Sequence, residues 1–293
     1  MGKSLADAYP EAARVFEEAD TALGFSISRL CFEGPDDQLT LTANAQPALL
    51  TVSIAAYSVL AAKGLKPDYV AGHSFGEYSA LVAAGSLDFA DAVCLVRKRG
   101  EYMQEAVPAG VGAMAALLKL PAEKLDAVLA EAAQGEVVSA ANLNSPDQVV
   151  IAGHAGAVNR AVDLAKAAGA RRAILLTVSA PFHCSLLAPA GDRLKPHLDA
   201  TEFRDLAIPL VNNWQAREIR TGADAREGLF HQIPNPVRWS DSMRLLASKG
   251  VTRVVEVGAG AVLTGLLKNI DPALIGTKFG EASDWEKVSA ASV

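Results

Sequence analysis

The sequence predicts an α/β protein of two domains: a host with a mostly parallel sheet, interrupted by a smaller unit of βαββαβ order. Three observations lead there. The chain has 293 residues, and at roughly 150 per domain that length suggests two. Hydrophobic residues make up 51% and charged residues 20%, which allows a large core and excludes a disordered chain or a disulfide-stapled miniprotein. Strands alternate with helices on both sides of a middle stretch where the order changes.

The elements follow in order. Pro10 suits a first helical turn, residues 11–23 have helical apolar spacing, and Gly24 ends that helix. No strand is expected before it. A second helix is expected from Gln46-Pro47 to Gly64, then a short apolar strand at 69–71, a turn, and a helix over 76–84. A longer helix starts near Asp88 and ends at Pro108. From about 110 to 178 the pattern reads strand (112–118), helix (122–133), strand (137–141), strand (148–152), helix (155–168) and strand (173–177), the split order of a ferredoxin-like unit. Pro108-Ala109-Gly110 and Ser179-Ala180-Pro181 mark where the unit leaves and rejoins its host, giving domains 1–108 with 179–293, and 109–178. Beyond it come a helix at 186–198, a strand at 208–211, helices at 225–232 and 240–247, a buried strand at 253–257 and a helix at 261–268. Such alternation argues for a mostly parallel sheet covered on both faces. After Lys278 periodicity is weak and the tail is expected to fray.

Composition narrows the function. No eighteen-residue window is free of charges or strong polar breaks, and the amino terminus lacks a basic-then-apolar signal pattern, so the chain reads as soluble and cytoplasmic. A net charge of −6 disfavours nonspecific binding to nucleic acid. Cys31, Cys94 and Cys184 are odd in number and far apart, which argues against a disulfide framework or zinc ribbon. The five histidines show no metal-ligand spacing, and no metal is assigned.

The sharpest motif is Gly72-His73-Ser74-Phe75-Gly76-Glu77, a G-x-S-x-G between an apolar strand and a helix, the setting of a nucleophile elbow. Side chains at either flanking glycine are expected to collide with neighbouring backbone, and the turn lifts the Ser74 hydroxyl out at the sheet's carboxyl edge. The Phe75 amide, at the start of the next helix, is the natural first oxyanion donor. Serine needs a base. His73 should point away from Ser74, whereas His183, where the chain re-enters the host, is the better candidate; His154, His197 and His231 read as surface residues.

These residues match a family. The elbow, Arg99 within Arg97-Lys98-Arg99-Gly100-Glu101-Tyr102-Met103-Gln104, Phe182-His183, Asn235-Pro236-Val237-Arg238-Trp239, and Glu256-Val257-Gly258-Ala259-Gly260 with Leu263-Thr264-Gly265 resemble the malonyl-CoA:acyl carrier protein transacylases of fatty-acid synthesis over nearly the whole chain. The resemblance implies that malonyl-CoA acylates Ser74, with His183 as general base oriented by a backbone carbonyl near Gln232 and Asn235 instead of a carboxylate. It places Arg99 opposite Ser74 to hold the free malonyl carboxylate, and implies that Gln46, Met103, Asn142 and Asn144 line the acyl or pantetheine region. Chemistry supports the Arg99 role independently, since a half-acid carries a charge into a water-poor cleft and a fixed planar cation should meet it there. No cofactor is implied; malonyl-CoA and the carrier's phosphopantetheine are substrates.

One departure stands out. The family begins with a strand ending in a Gly-Gln-Gly-Ser-Gln loop, whose glutamine supplies a second oxyanion amide, and Met1 aligns just after it. A start assigned to an internal methionine is the expectation. The run 253–260 also suggests a dinucleotide fingerprint, but Leu263 stands where a third glycine belongs, so a packing turn between strand and helix is the better reading. An acidic carrier protein docking on an acidic chain needs a local basic patch, which Arg171-Arg172 with Lys166 nearby could supply.

The expectation is therefore a hydrolase-like host with a ferredoxin-like insertion, performing ping-pong malonyl transfer at a cleft between them. The alternatives are a serine esterase or thioesterase that passes the acyl group to water, and a catalytically impaired homologue lacking the first strand and loop.

Overall fold

Helices dominate the first hundred residues. They are α1 (Lys3–Ala8), α2 (Pro10–Leu23), α3 (Ile27–Glu33), α4 (Asp36–Leu39) and α5 (Thr42–Ala62), followed after strand β1 (Val70–Ala71) by α6 (Gly76–Ala83) and α7 (Phe89–Glu105). The computed structural model describes residues 1–178 and 180–291; Ser179, expected above to open the return to the host, lies outside them. Pro10 starts α2, and Gly24, with φ 72°, ends it as expected. Helix α5 begins earlier than the sequence suggested, because Pro47 sits inside it. A proline has no N–H to donate to the carbonyl four residues back. The guanidinium of Arg97 on α7 takes up that Ala43 carbonyl at 3.1 Å, so the helix runs through. Long and apolar enough to cross a membrane, α5 instead forms the centre of the main core, with Leu50, Val52, Ala55, Ala56, Val59 and Leu60 buried. Gly100 lets α7 approach its start: a Cβ there would lie 2.7 Å from the Thr42 carbonyl oxygen.

The middle stretch contains β2 (Gly112–Leu118), α8 (Leu125–Ala133), β3 (Val138–Ser145), β4 (Gln148–His154), α9 (Ala155–Ala167) and β5 (Arg172–Leu175). All its pairings are antiparallel, in the order β3-β4-β2-β5, so the unit's first and third strands are central. Period-two alternation gives the sheet two apolar faces. Ala115, Leu117 and Ile151 join a core with Val128 of α8 and Val158 of α9, while Met114, Val150 and Ala152 join the main core. Val237 also stitches this sheet to the rest of the chain, accepting from Leu143 N–H at 2.9 Å and donating to the Ala141 carbonyl at 2.8 Å.

The remainder comprises α10 (Ala188–Ala200), β6 (Leu210–Val211), β7 (Glu218–Ile219), α11 (Gly222–Gln232), α12 (Trp239–Ser248), β8 (Arg253–Val257), α13 (Val262–Ile270), β9 (Ile275–Phe279) and α14 (Trp285–Ala291). Here three expectations fail. The host strands form two separate sheets, β1-β6-β7 and β8-β9, instead of one mostly parallel sheet. β1 pairs in parallel with β6, β6 antiparallel with β7, and β8 in parallel with β9. β8, expected to be buried, is half-buried and exposed at Arg253; among the described residues β9 is its one partner strand. Nor does the described part of the tail, residues 279–291, fray: a reciprocal capping box between Glu281 and Asp284 leads into α14, whose Trp285 packs on the core.

Candidate active site

β1 delivers the chain into Gly72-His73-Ser74-Phe75-Gly76, and α6 carries it away. Ser74 has φ 53°, a left-handed backbone that L-residues adopt only under constraint. That constraint comes from two neighbours. A Cβ at Gly72 would lie 1.9 Å from the Gly76 carbonyl oxygen, so only glycine lets the turn close. Gly76 is different: a Cβ there meets nothing within 4 Å, so the collision expected at both glycines occurs at Gly72 alone. Just beyond β6, the parallel neighbour of β1, Asn213 accepts from Ser74 N–H at 2.7 Å and donates to the Gly72 carbonyl at 2.6 Å. The Phe75 N–H, ahead of the first residue of α6, has no acceptor among the described residues.

His183 reaches the elbow from the far side of the middle stretch. Its backbone is also left-handed, at φ 58°, and its ring is buried. Nε2 lies 2.8 Å from Ser74 Oγ, and Nδ1 lies 3.0 Å from the carbonyl of Gln232, the last residue of α11. A carbonyl only accepts, so Nδ1 carries the hydrogen and Nε2 is left to accept from the serine hydroxyl. Burial lowers the His183 pKa to about 3, helped by the nearby Arg99 cation. The imidazole is thus held neutral as a base.

Arg99 on α7 is 1% exposed. Its Nη2 donates to Ser74 Oγ at 3.0 Å and to Gln232 Oε1 at 2.9 Å, and its Nη1 to Gln46 Oε1 at 2.6 Å. Every acceptor is a neutral oxygen. Among the described residues no carboxylate forms an ion pair with it, and Nε, also buried, has no acceptor. Burial pulls its pKa down, while Tyr78 and Glu77 nearby act in the opposite direction. A buried guanidinium with no carboxylate in direct contact, beside a serine hydroxyl, is well placed for a ligand that supplies the anion.

The structure gathers most of the remaining candidates here. Gln46, besides holding Arg99, points its amide nitrogen at Met103 Sδ, 3.9 Å away, and both are buried. Asn144 on β3 is 2.8 Å from His73 Nε2, and the His73 ring packs edge-on against Trp239, so His73 turns away from Ser74 as expected. Asn142, also on β3, bridges to Val237, but among the described residues no side-chain hydrogen bond ties it to the cluster. Sequence reading missed two members, Asn213 and Glu77. Glu77 stands in the quoted motif, yet nothing in a single sequence marks it as buried; Asn213 directly follows the apolar run of β6. No group of three His, Cys, Asp or Glu side chains suited to a metal occurs among the described residues. The glycine run after β8 behaves as a packing turn: Glu256 accepts from Leu263 and Thr264 N–H, filling the start of α13 with the chain's own carboxylate.

Known proteins resemble this chain along nearly its whole length. The family model described as the acyl transferase domain matches residues 1–271. A malonyl CoA-acyl carrier protein transacylase from Bacillus subtilis (strain 168) is 50% identical over 292 residues, 99% of this chain and 91% of that protein. The chain belongs to the malonyl CoA-acyl carrier protein transacylase family. Among solved members, an acyl carrier protein S-malonyltransferase from Vibrio cholerae superimposes with a TM-score of 0.96 at 44% identity, covering 98% of this chain and 94% of that one. A malonyl-transacylase solved in complex with a type II polyketide acyl-carrier protein gives 0.95 at 43% identity, covering 98% and 94%. This transacylase family membership makes the chain an acyltransferase enzyme.

Proposed function

We infer that the chain transfers malonyl from malonyl-CoA to the phosphopantetheine thiol of an acyl carrier protein by a ping-pong route through malonyl-Ser74. The observation that carries this reading is the buried Arg99 guanidinium, in direct contact with no carboxylate and 3.0 Å from Ser74 Oγ. A neutral acyl group would leave that cation unpaired; a malonyl group brings the missing carboxylate. In the first half-reaction His183 Nε2 takes the Ser74 proton as Oγ attacks the thioester carbonyl, and the oxyanion forms beside the Phe75 N–H. The C–S bond then breaks, and CoA leaves as a thiol with the proton from His183. In the second half, His183 takes the carrier thiol's proton, the thiolate attacks the serine ester, and Ser74 recovers its hydrogen. Gln46 and Gln232 hold Arg99 in place throughout, Gln232 also orients His183 through its carbonyl, and Met103, Asn142 and Asn144 are read as lining the acyl or pantetheine region.

We read residues 1–108 and 179–293 as a hydrolase-like catalytic domain and 109–178 as a ferredoxin-like insert. The elbow between β1 and α6 supports the first assignment, and the antiparallel β3-β4-β2-β5 order with α8 and α9 packed on one face supports the second. The site lies where they meet, since Asn144 of the insert bonds His73 of the elbow. Carrier docking is assigned to Arg171 and Arg172, exposed at the start of β5; Lys166 is partly neutralised by Asp163 at 3.4 Å.

The test is intact mass after mixing with malonyl-CoA. A malonyl adduct that localises to Ser74, is absent from Ser74→Ala, and disappears on adding carrier protein with formation of malonyl-carrier supports the reading. Release to water at the same rate with or without carrier would make the chain a thioesterase, and no adduct would make it a catalytically impaired homologue.

A further inference from the structure

Glu77 lies fully buried three residues past Ser74 on α6, where an isolated carboxylate is costly. Its Oε2 accepts from Asn213 N–H at 3.1 Å and from Gln232 Nε2 at 2.8 Å. Both donors belong to residues that hold the site together. Asn213 clamps the Ser74 amide and the Gly72 carbonyl. Gln232 donates to the Ser74 carbonyl at 3.0 Å, accepts from Arg99, and accepts from His183 with its backbone oxygen.

A glutamine amide has two orientations that fill the same volume, with oxygen and nitrogen exchanged. Glu77, together with the Ser74 carbonyl, removes the choice. An acceptor fixed by Asn213 N–H must be faced by the Gln232 NH2 group, which turns Gln232 Oε1 toward Arg99. Reversed, the amide would set NH2 against the guanidinium, donor against donor.

We propose that Glu77 is a positioning residue for malonyl recognition, fixing the Gln232 amide so that Arg99 stays beside Ser74 Oγ with its remaining N–H groups open to the malonyl carboxylate. This rests on Arg99 being the carboxylate clamp. Burial raises the Glu77 pKa to about 7, with Gln232, Asn213 and Arg99 opposing that rise. Protonation does not undo the arrangement when the hydrogen sits on Oε1, which has no partner, because Oε2 still accepts. What the site requires is therefore an acceptor at this point, with or without its charge.

The experiment compares Ser74 acylation by malonyl-CoA with acylation by p-nitrophenyl acetate, a neutral ester that needs the dyad but not Arg99. Glu77→Met keeps the volume and removes the acceptor; it is expected to slow malonylation roughly tenfold or more relative to acetylation, the scale of a small misplacement of a binding group. Glu77→Gln retains an acceptor and is expected to restore the malonyl-to-acetyl ratio. Equal loss of both reactions, or no loss in Glu77→Met, would overturn the proposal. If Glu77→Met does not fold, Gln232→Met severs the same link while keeping the carbonyl that orients His183, and an unchanged ratio there overturns it as well. A parent chain that is acetylated by the ester but not malonylated by malonyl-CoA refutes the Arg99 reading itself, and this proposal with it.

Discussion

Arg99 without a carboxylate partner is the most informative side chain in the molecule, and its removal gives the sharpest prediction. Arg99→Ala is expected to reduce kcat/KM for malonyl-CoA by a factor equivalent to about 3 kcal/mol, the scale of stranding one member of a buried ion pair, while acetyl transfer is kept or rises. Steady-state rates with both thioesters check this, and an unchanged ratio contradicts the clamp. His183 makes a separate prediction about pH. Its pKa of about 3, set by burial and then by Arg99, keeps the base neutral down to strongly acidic solution. The acid limb of kcat/KM for Ser74 acylation, which reports the free enzyme, should therefore fall well below an ordinary histidine's; a limb near 6.5 would mean an exposed or ion-paired imidazole. Stability carries a different sign for each buried group. A lowered His183 pKa means stability present above 6.5 is lost as pH falls. Glu77, raised to about 7 from 4.5, contributes stability that is full below 4.5 and is lost as pH rises through 7. Glu77→Gln should accordingly raise the melting temperature at pH 8 more than at pH 5, by up to about 3 kcal/mol in stability.

The elbow shows, at the level of elements, how far a sequence pattern reaches. G-x-S-x-G between an apolar strand and a helix marked the turn correctly, because strand burial and helix initiation are local properties of those residues. The jobs of its two glycines were not equally legible, since the collision at Gly72 depends on where the Gly76 carbonyl returns in space. Gly72→Ala is expected to cost on the order of 3 kcal/mol by overpacking. Gly76→Ala, with open space around its Cβ, should change stability by less than about 1 kcal/mol. Thermal melting of the two variants separates them, and equal losses would mean the two glycines share one constraint. The start of α5 was misjudged for a similar reason. Proline favours first helical turns, but here Arg97, far along the chain, takes the carbonyl that Pro47 cannot satisfy. Asn213 was invisible for the same cause, as its role arises only because β6 lies alongside β1.

For the whole molecule, the order of elements was readable and their pairing was not. Hydrophobic periodicity located the middle βαββαβ unit closely, since its two central strands, β2 and β4, alternate between two cores. It could not reveal that the host strands divide into two sheets, because an apolar strand has the same pattern whether it gains one neighbour or two. The charge distribution was legible only as a sum, and docking depends on where charge sits. With a net charge of −6, approach of an acidic carrier is opposed at long range, so local cations must orient the encounter. On the docking proposed above, Arg171 and Arg172 would meet that need, exposed beside the apolar Ile174 and Leu175. Reversing both charges to glutamate should raise the carrier KM roughly tenfold at low salt, about 1 kcal/mol or less for each surface pair lost. The effect should shrink as ionic strength rises and the Debye length contracts. The malonyl-CoA KM should not move, because Ser74, His183 and Arg99 are untouched. Steady-state kinetics with carrier and thioester varied in turn decides the matter: an equal rise in both constants removes docking from this surface, while a salt-sensitive rise in the carrier constant alone assigns the insert to partner recognition and leaves the chemistry to the elbow.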